Sequence, residues 1–484
     1  MYQLRNYQLS FVNNIRTSLS KNQRVIACAA TGSGKTVVFL DITTKAIKSG
    51  KTVLIMAESI KIFDQIAPQV DGCYCIYDGL KDLHVRPNKV YVAMAQTLKN
   101  RKSIIDQFKA LERDLLIITD EAHVGTPAKV LYQLPDAYSI GFTATPDYRK
   151  AKHLPKCWND IVIGPQPQEL IEEGFLTPYY HFARKPVDLK SLVKKSGEYT
   201  EESQMKAFSA PEVYEGLFED LKDFPFKKAI IFCSSIAHCS ATSQRLRNDG
   251  YKVSEVHSKN ESSDVELTEF MKRDVNICVS VGILTKGFDF PGIDLVVLYR
   301  ATTSLPLYCQ MIGRGSRIKE GKRWFTVLDY GGNAERLGMW NYNFDWENMW
   351  DKSKRKSKKE ASPVKSCPDC GYMGPPSMKT CPICKHVFEK SDQEVEEEKK
   401  NTILVELTKD YNNLRGRKIS TLSPEELAKY KRFTNKSAFA ARVAKSHGLD
   451  FLKIYAKYCG YNSGWAFIND PQDKIIEFTN ITIK

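Results

Sequence analysis

No apolar run in the chain approaches the ~18 residues a membrane span needs, and the opening MYQLRNYQLS lacks the make-up of a secretory signal. A membrane protein is therefore not expected. There is no internal repeat and no low-complexity tract, which excludes a repeat array or a fibrous chain. A disulfide framework is missing too. Of 13 cysteines, four fall in two C-x-x-C pairs, and the rest, such as Cys28, Cys233 and Cys278, are scattered, several inside apolar runs. That is a reduced, intracellular pattern. Acidic residues are in deficit, 57 against 71 Lys and Arg, for a formal net charge of +14. The imbalance favours a polyanionic partner, nucleic acid first, although a basic solvated surface explains it equally well. No convincing nuclease constellation stands out.

What is present is enough for several cores. A chain of 484 residues suggests roughly three domains, and 42% hydrophobic with 26% charged residues fits a soluble globular protein. Candidate strands are RVIACA (24–29), TVLIMA (52–57), KVYVAMA (89–95), LLIIT (115–119) and YSIGFTA (138–144). A second series is KAIIFC (228–233), NICVSV (276–281), LVVLY (295–299) and WFTVLD (324–329). Near-continuous Val/Ile-rich runs with helical patterns between them predict parallel α/β sheets buried on both faces. Two series predict two such domains, at 1–165 and 166–350, with a polar, partly helical insertion at about 187–210. The composition then shifts. Residues 351–366 carry seven Lys/Arg against Asp351 and Glu360 and read as a basic linker. Residues 389–402 read as an acidic linker, and 403–484 as a helical C-terminal module.

Between the first strand and a helix predicted from about Thr36 to Ala46 lies AATGSGKT (29–36). Apart from Ala29 in place of the first glycine, it follows the phosphate-loop pattern. Gly32, Ser33 and Gly34 let backbone N–H groups close around phosphates at a helix N-terminus. Lys35 is placed to reach the β- and γ-phosphates, and Thr36 a magnesium ion. At the end of LLIIT stands DEAH, Asp120 to His123. Asp120 is a candidate magnesium ligand, and Glu121 a candidate to orient and deprotonate an attacking water. A helix-capping acid is the bland alternative for Asp120.

These residues, with others in the same order, resemble the superfamily 2 helicases of the DExH group over about 1–340. LRNYQ (4–8) resembles their Q motif, which implies that Gln8 and Arg5 read adenine. MAESIKIFDQ (56–65) and AMAQTL (93–98) resemble strand-contacting motifs. FTATP (142–146) resembles the coupling motif, implying that Thr143 and Thr145, with His123, connect the ATP site to nucleic acid. IIFC (230–233) and SVGILTKGFDFPGID (280–294) resemble motifs IV and V, the latter with Gly287 and Asp289 in place. QMIGRGSR (310–317) resembles motif VI, which implies roles for Gln310 and for Arg314 and Arg317 as arginine fingers; three apart, the two arginines share a helix face if the segment is helical. VLDYGGNAERLG (327–338), a basic linker and the cysteine pairs are similar in layout to RadD-like and phage UvsW-like DNA helicases, although Leu337 stands where the RadD-like pattern tends to have histidine. The resemblance implies two RecA-like lobes and ATP with magnesium. Its implied activity is DNA remodelling on single-stranded or branched substrates, with DNA favoured. It further implies a monomer in bacterial or phage-infected cytoplasm, with a replication or recombination protein as a possible partner. An RNA helicase and a restriction-complex motor are the alternatives.

The pairs Cys367/Cys370 and Cys381/Cys384, ten residues apart, suit one tetrahedral zinc ion in a closed, structural S₄ shell. A redox dithiol pair or an iron–sulfur cluster are the rivals, and His386 reads as a surface residue. The segment 367–388 is thus expected to be a zinc ribbon tethered to the second lobe by the basic arm. Ser423-Pro424-Glu425-Glu426 reads as a helix start and SAFAARVAKSHG as a helix ending at Gly448. Interleaved aromatics in the tail read mainly as the core of a small helical domain.

Overall fold

The computed structural model describes residues 3–388 except 81–82, 148–150, 185–190, 210, 273–274, 283, 285–289 and 352–363, together with 417, 421–434, 444, 447 and 449–459. The two series of apolar runs form two parallel sheets. The first contains β1 (Arg24–Cys28), β2 (Thr52–Ala57), β3 (Tyr74–Ile76), β4 (Val90–Met94), β5 (Leu115–Thr119), β6 (Tyr138–Thr143) and β7 (Asp160–Ile163). Their order is β3-β4-β2-β5-β6-β1-β7. Strands β2 and β5 are buried at every residue, as strands covered by helices on both faces must be. On one face the helices Asn6–Leu19 and Lys35–Lys48 bring Phe11 and Phe39 against Phe142; on the other, Phe108 and Trp158 pack with Tyr91.

The second sheet contains β8 (Tyr179–Ala183). A hairpin, β9 (Lys194–Lys195) and β10 (Glu198–Tyr199), follows, then β11 (Ala229–Cys233), β12 (Val253–Val256), β13 (Ile277–Ser280), β14 (Leu295–Tyr299) and β15 (Phe325–Asp329). The sheet order is β12-β13-β11-β14-β15-β8, all parallel. The segment read as a polar insertion is not an appendage. Leu192, Tyr199 and Phe208 are buried in the core of this lobe, and the helix Glu201–Phe208 is capped by Thr200, whose side chain accepts from Ser203 N.

The chain then returns to the first lobe. Trp340 lies in the second lobe's core. Trp346 donates its indole N–H to Gln166 Oε1 at 2.8 Å, in the connection between the lobes. Trp350 is buried among first-lobe residues such as Ile26, Ala122 and Trp158.

The cysteine module is more than a tethered bead. Its first strand, β16 (Lys365–Ser366), lies within the stretch read as linker and pairs antiparallel with β17 (Met373–Gly374). The module covers the free edge of β8: Phe182 bridges Tyr372, and Ala183 N donates to Gly371 O at 2.8 Å. Tyr372 packs on Phe182 and Tyr180, and Met373 is fully buried. Backbone pairing of this kind closes an otherwise exposed edge.

Phe388–Lys484 forms a separate compact unit. In it the helices Pro424–Thr434 and Leu449–Tyr458 pack together. Ser423 and Glu426 form the expected reciprocal cap, each backbone N–H donating to the other's side chain. Tyr430 and Tyr455 are buried and Tyr458 is exposed. The acidic linker at 389–402 and the helix end at Gly448 lie outside the described residues.

Candidate functional site

The topology makes β1, β6 and β5 adjacent, so the loops after their C-terminal ends converge. The loop after β1 runs from Ala29 to Gly34, and the helix starts at Lys35 and extends to Lys48, one residue earlier and two later than the pattern predicted. Gly32 and Gly34 have φ of +86° and +79°, a region side chains rarely adopt. Space excludes a side chain as well. A Cβ on Gly34 would lie 2.5 Å from Gln8 Nε2, and one on Gly32 2.8 Å from Leu176 Cδ2. Lys35 Nζ donates back to the carbonyls of Ala29 and Ala30 at 3.2 and 3.1 Å, which places its charge inside the loop.

The Q-motif residues brace this loop. Gln8 is buried; its Nε2 donates to Ser33 O at 3.2 Å and its Oε1 accepts from Arg5 N at 3.0 Å. Tyr7 donates to the same Ser33 carbonyl at 3.0 Å. The Arg5 guanidinium stacks 4.6 Å over the Phe175 ring, which also contacts Tyr7. The sequence reading did not single out Tyr7 or Phe175; an aromatic inside the Q-motif stretch was the available signal for Tyr7.

After β5, Glu121 has φ +52°, a costly conformation for a side-chain-bearing residue that persists only where the surroundings impose it. They do so here. Glu121 N donates to Asp120 Oδ1 at 3.0 Å, Ala122 N to Phe142 O at 2.9 Å, and Val124 N to Glu121 O at 2.9 Å. Gly141 on β6 clears room for this turn, since a Cβ there would meet Ala122 Cβ at 2.7 Å and Trp158 at 2.5 Å.

A polar network leaves this turn in two directions. Glu121 Oε2 lies 3.2 Å from His123 Nδ1, which is 2.9 Å from Thr143 Oγ1, which in turn accepts from Thr145 N at 3.1 Å. Both threonines are buried. On the other side, Gln310 Nε2 of the second lobe donates to Glu121 Oε1 at 3.3 Å, so one carboxylate touches both lobes.

Gln310 lies on the helix Leu305–Ile312, which stops before the arginines. Arg314 and Arg317 therefore sit on a turn and on a stretch without regular secondary structure, and do not share a helix face. Gly313 lets this segment approach the phosphate loop: a Cβ there would lie 2.7 Å from Thr31 Cγ2. Arg314 is buried. The segment is held from beneath by residues the sequence reading missed. Thr177 N donates to Ser316 O and Thr177 Oγ1 to Arg317 O, at 2.7 and 2.9 Å. Lys322 Nζ reaches the carbonyls of Gly315, Arg317 and Pro291 at 2.5, 3.0 and 3.3 Å. Thr36 lies in the first turn of the helix Lys35–Lys48. Gly287 and Asp289 lie outside the described residues.

The four cysteine sulfurs lie within 4.8 Å of one another. Cys367 and Cys384 are 3.5 Å apart, and Cys370 and Cys381 3.6 Å. Four thiolates at Zn–S of about 2.3 Å on a tetrahedron are about 3.8 Å apart, so the set fits one zinc ion. Each pair is closed by a turn, Gly371 N to Cys367 O and Lys385 N to Cys381 O, with positive φ at Gly371 and Lys385. Burial pushes the Cys381 thiol up, but the Cys384 and Ile383 N–H groups and the neighbouring thiols hold it down at about 7, while burial pushes the Cys370 thiol up to about 12. His386 is 2.8 Å from Asp369 Oδ2.

Comparison with known proteins agrees with this arrangement. Residues 1–148 match the family described as type III restriction enzyme, res subunit, and residues 214–319 the helicase conserved C-terminal domain. A 51.5 kDa protein of a Lactococcus phage is 28% identical over 363 residues, covering 74% of this chain and 76% of that protein. The EcoAI type I restriction endonuclease subunit of Escherichia coli is 27% identical over 371 residues, 67% of this chain. The chain spans about half of that subunit, 46% of its length. In fold, a solved fragment described as an HsdR subunit of a type I restriction enzyme from Vibrio vulnificus superposes with a TM-score of 0.55 at 24% identity, over 69% of this chain and 65% of that one.

Two parallel-sheet lobes with these matches define a superfamily 2 helicase motor, a nucleic-acid-dependent ATPase. Among such motors the chain is related to type I restriction subunits and to the phage protein.

Proposed function

We propose that this protein is an ATP-dependent DNA helicase or translocase that moves on, and remodels, single-stranded or branched DNA. The observation that carries the reading is the Glu121 carboxylate, held in a strained turn between Gln310 of one lobe and His123 and Thr143 of the other. A group that polarises water and is gripped by both lobes links hydrolysis to lobe movement.

The site residues take these roles. The Gly32–Gly34 backbone and Lys35 bind the phosphates of ATP, and Gln8 with Arg5 holds the loop and meets the adenine. Thr36 and Asp120 would hold magnesium, which neutralises charge on the transferred phosphoryl group. Glu121 orients and deprotonates the water. Arg314 and Arg317 balance charge developing on the γ-phosphate, a contact worth ~10³–10⁵ in rate in related phosphoryl transfers. His123, Thr143 and Thr145 relay the state of Glu121 into β6. Gly287 and Asp289 contribute from motif V. The cysteine module holds one structural zinc and supports a RadD-like layout, and a replication or recombination setting follows from that likeness. DNA is favoured over RNA by the likeness to a type I restriction endonuclease subunit. Those relatives equally favour a second reading, the motor of a restriction-type complex with separate methyltransferase and nuclease parts.

The test is ATPase and unwinding by the full chain on single strands, forks, Holliday junctions and RNA. Glu121→Gln should bind ATP and DNA yet lose turnover. Normal hydrolysis by that variant removes the assignment, and stimulation by RNA alone selects an RNA helicase.

A further inference from the structure

The structure assigns the hairpin Lys194–Tyr199 a function beyond folding: we propose that it is a nucleic-acid contact of the second lobe, mounted so that strand engagement is felt at the ATP site. The inference rests on the helicase reading above and names a contact that reading does not include.

The hairpin is built as a rigid tip. Ser196 and Gly197 have φ of +52° and +80°, the two positive values of the tight turn that matches strand twist. Val193, Lys194, Lys195 and Ser196 are exposed, while Leu192 and Tyr199 are buried beneath them. The one carboxylate of the hairpin is turned away from the tip. Glu198 accepts from Thr302 Oγ1 at 2.8 Å, Thr303 N at 2.9 Å and Tyr199 N at 3.0 Å. Thr303 Oγ1 donates to Gly197 O. Arg336 lies 5.5 Å over the Tyr199 ring and donates to Thr302 O at 3.2 Å, and Lys194 Nζ lies 5.0 Å over the same ring. What faces solvent is therefore two ammonium groups and an apolar Val193, with the acid internally satisfied. That chemistry suits a phosphodiester backbone.

The mounting point gives the contact its reach. Residues 302–304 follow the C-terminal end of β14. Thr302 Oγ1 accepts from Ser304 N at 3.0 Å, and Ser304 Oγ caps the helix Leu305–Ile312 by accepting from Leu307 N at 3.3 Å. At the far end of that helix is Gln310, bonded to Glu121. A continuous run of hydrogen bonds and one helix thus joins the hairpin to the water-orienting carboxylate. The tip also lies on the correct side. Lys61, after β2, pairs with Asp264, after β12, at 3.3 Å, so the C-terminal edges of both sheets open toward one face. The hairpin is mounted on residues 302–303, which follow the C-terminal end of β14 on that edge of the second sheet.

Two variants separate contact from coupling, using the full chain, a fluorescein-labelled oligothymidine and ATPase assays. Lys194→Ala/Lys195→Ala should weaken oligothymidine binding about tenfold and lower the salt slope by about 1.4, two phosphate contacts at about 0.7 each. Glu198→Gln should keep half-saturation within about twofold but cut the DNA-stimulated kcat about tenfold. Thr303→Val, which loosens the same joint, should behave like Glu198→Gln and guards against misfolding of either. The proposal is overturned if the double-lysine variant keeps wild-type affinity and slope. It is equally overturned if Glu198→Gln and Thr303→Val are both stimulated normally. A wild-type chain that no nucleic acid stimulates removes the helicase reading itself, and this contact with it.

Discussion

Lys322 sits beneath the segment that carries Arg314 and Arg317, and replacing it with methionine tests whether that segment must be held in place. Its ammonium donates to the carbonyls of Gly315 at 2.5 Å, Arg317 at 3.0 Å and Pro291 at 3.3 Å, and lies 5.6 Å from the centre of the Phe325 ring. Methionine fills the space of the stem but donates nothing. A hydrogen bond from a charged donor contributes about 1.5–3 kcal/mol. The cost of burying the ammonium offsets these bonds, so their effect is to fix the position of the segment rather than to add net stability. Without them the segment is released from one fixed position, and a displacement of ~1 Å at a reacting site costs about 10²-fold. We expect Lys322→Met to lower DNA-stimulated kcat about 10- to 100-fold with little change in KM for ATP.

The pH dependence sharpens this expectation. Burial pushes the Lys322 ammonium down from 10.5 to about 7; Asp294 pulls it up, and Arg317 and Lys319 push it further down. Below pH 7 the charged form makes all three bonds. Above it the neutral amine turns a lone pair toward a carbonyl, so turnover should fall as pH rises through about 7. Global stability moves the opposite way. Between about 7 and 10.5 the unfolded chain holds a proton that the native state has released, so unfolding free energy rises with pH there. Steady-state ATPase and urea melts across this range, on wild type and variant, read both trends. Wild-type kcat in Lys322→Met, or an alkaline limb that survives in the variant, refutes the reasoning.

Two further expectations concern stability. The purified chain should contain one zinc ion, and Cys367→Ser or chelation should lower the melting temperature, because the site's folding energy (on the order of 10–16 kcal/mol in small zinc domains) also holds the cover on β8. Metal-free protein that melts like the native form contradicts this. His238 is held down at about 4 by burial and by Arg300. As pH falls from 6.5 to about 4 the unfolded chain takes up a proton that native His238 does not, so stability should drop by up to about 3 kcal/mol and then level off. Urea midpoints that show the same acid loss in His238→Gln would assign it elsewhere.

The nine runs read as strands from the sequence are the nine interior strands of the two sheets. The four that were missed, β3, β7, β8 and β12, are the four sheet edges. The reason is physical. Interior strands are covered on both faces and need continuous Val and Ile, whereas an edge strand such as Val253–Val256 alternates, and Tyr179–Ala183 uses aromatics to meet the cysteine module. The candidate site divides in the same way. The phosphate loop, the acid turn and the cysteine pairs are short local spacings, so they can be read along the chain. Thr177 and Phe175 act through backbone carbonyls or ring stacking on residues far away in sequence, and Lys322 through carbonyls of the turn before it and of Pro291; those contacts carry no spacing rule. The end of the helix at Ile312 was also hidden, because Gly313 and Gly315 serve close packing against Thr31 and Phe325, which only the fold reveals.

The return of the chain through Trp340, Trp346 and Trp350 has a mechanical consequence. The two lobes are attached twice, once through the residues around Gln166 and again through this tryptophan segment, whose last ring is sunk in the first lobe. A body fastened to another at a single point can swing and twist in any direction. One fastened at two points retains mainly rotation about the line that joins them. The second attachment would thus convert the release of energy at the ATP site into a stroke of fixed direction, and the placing of the two fastenings would set how long that stroke is.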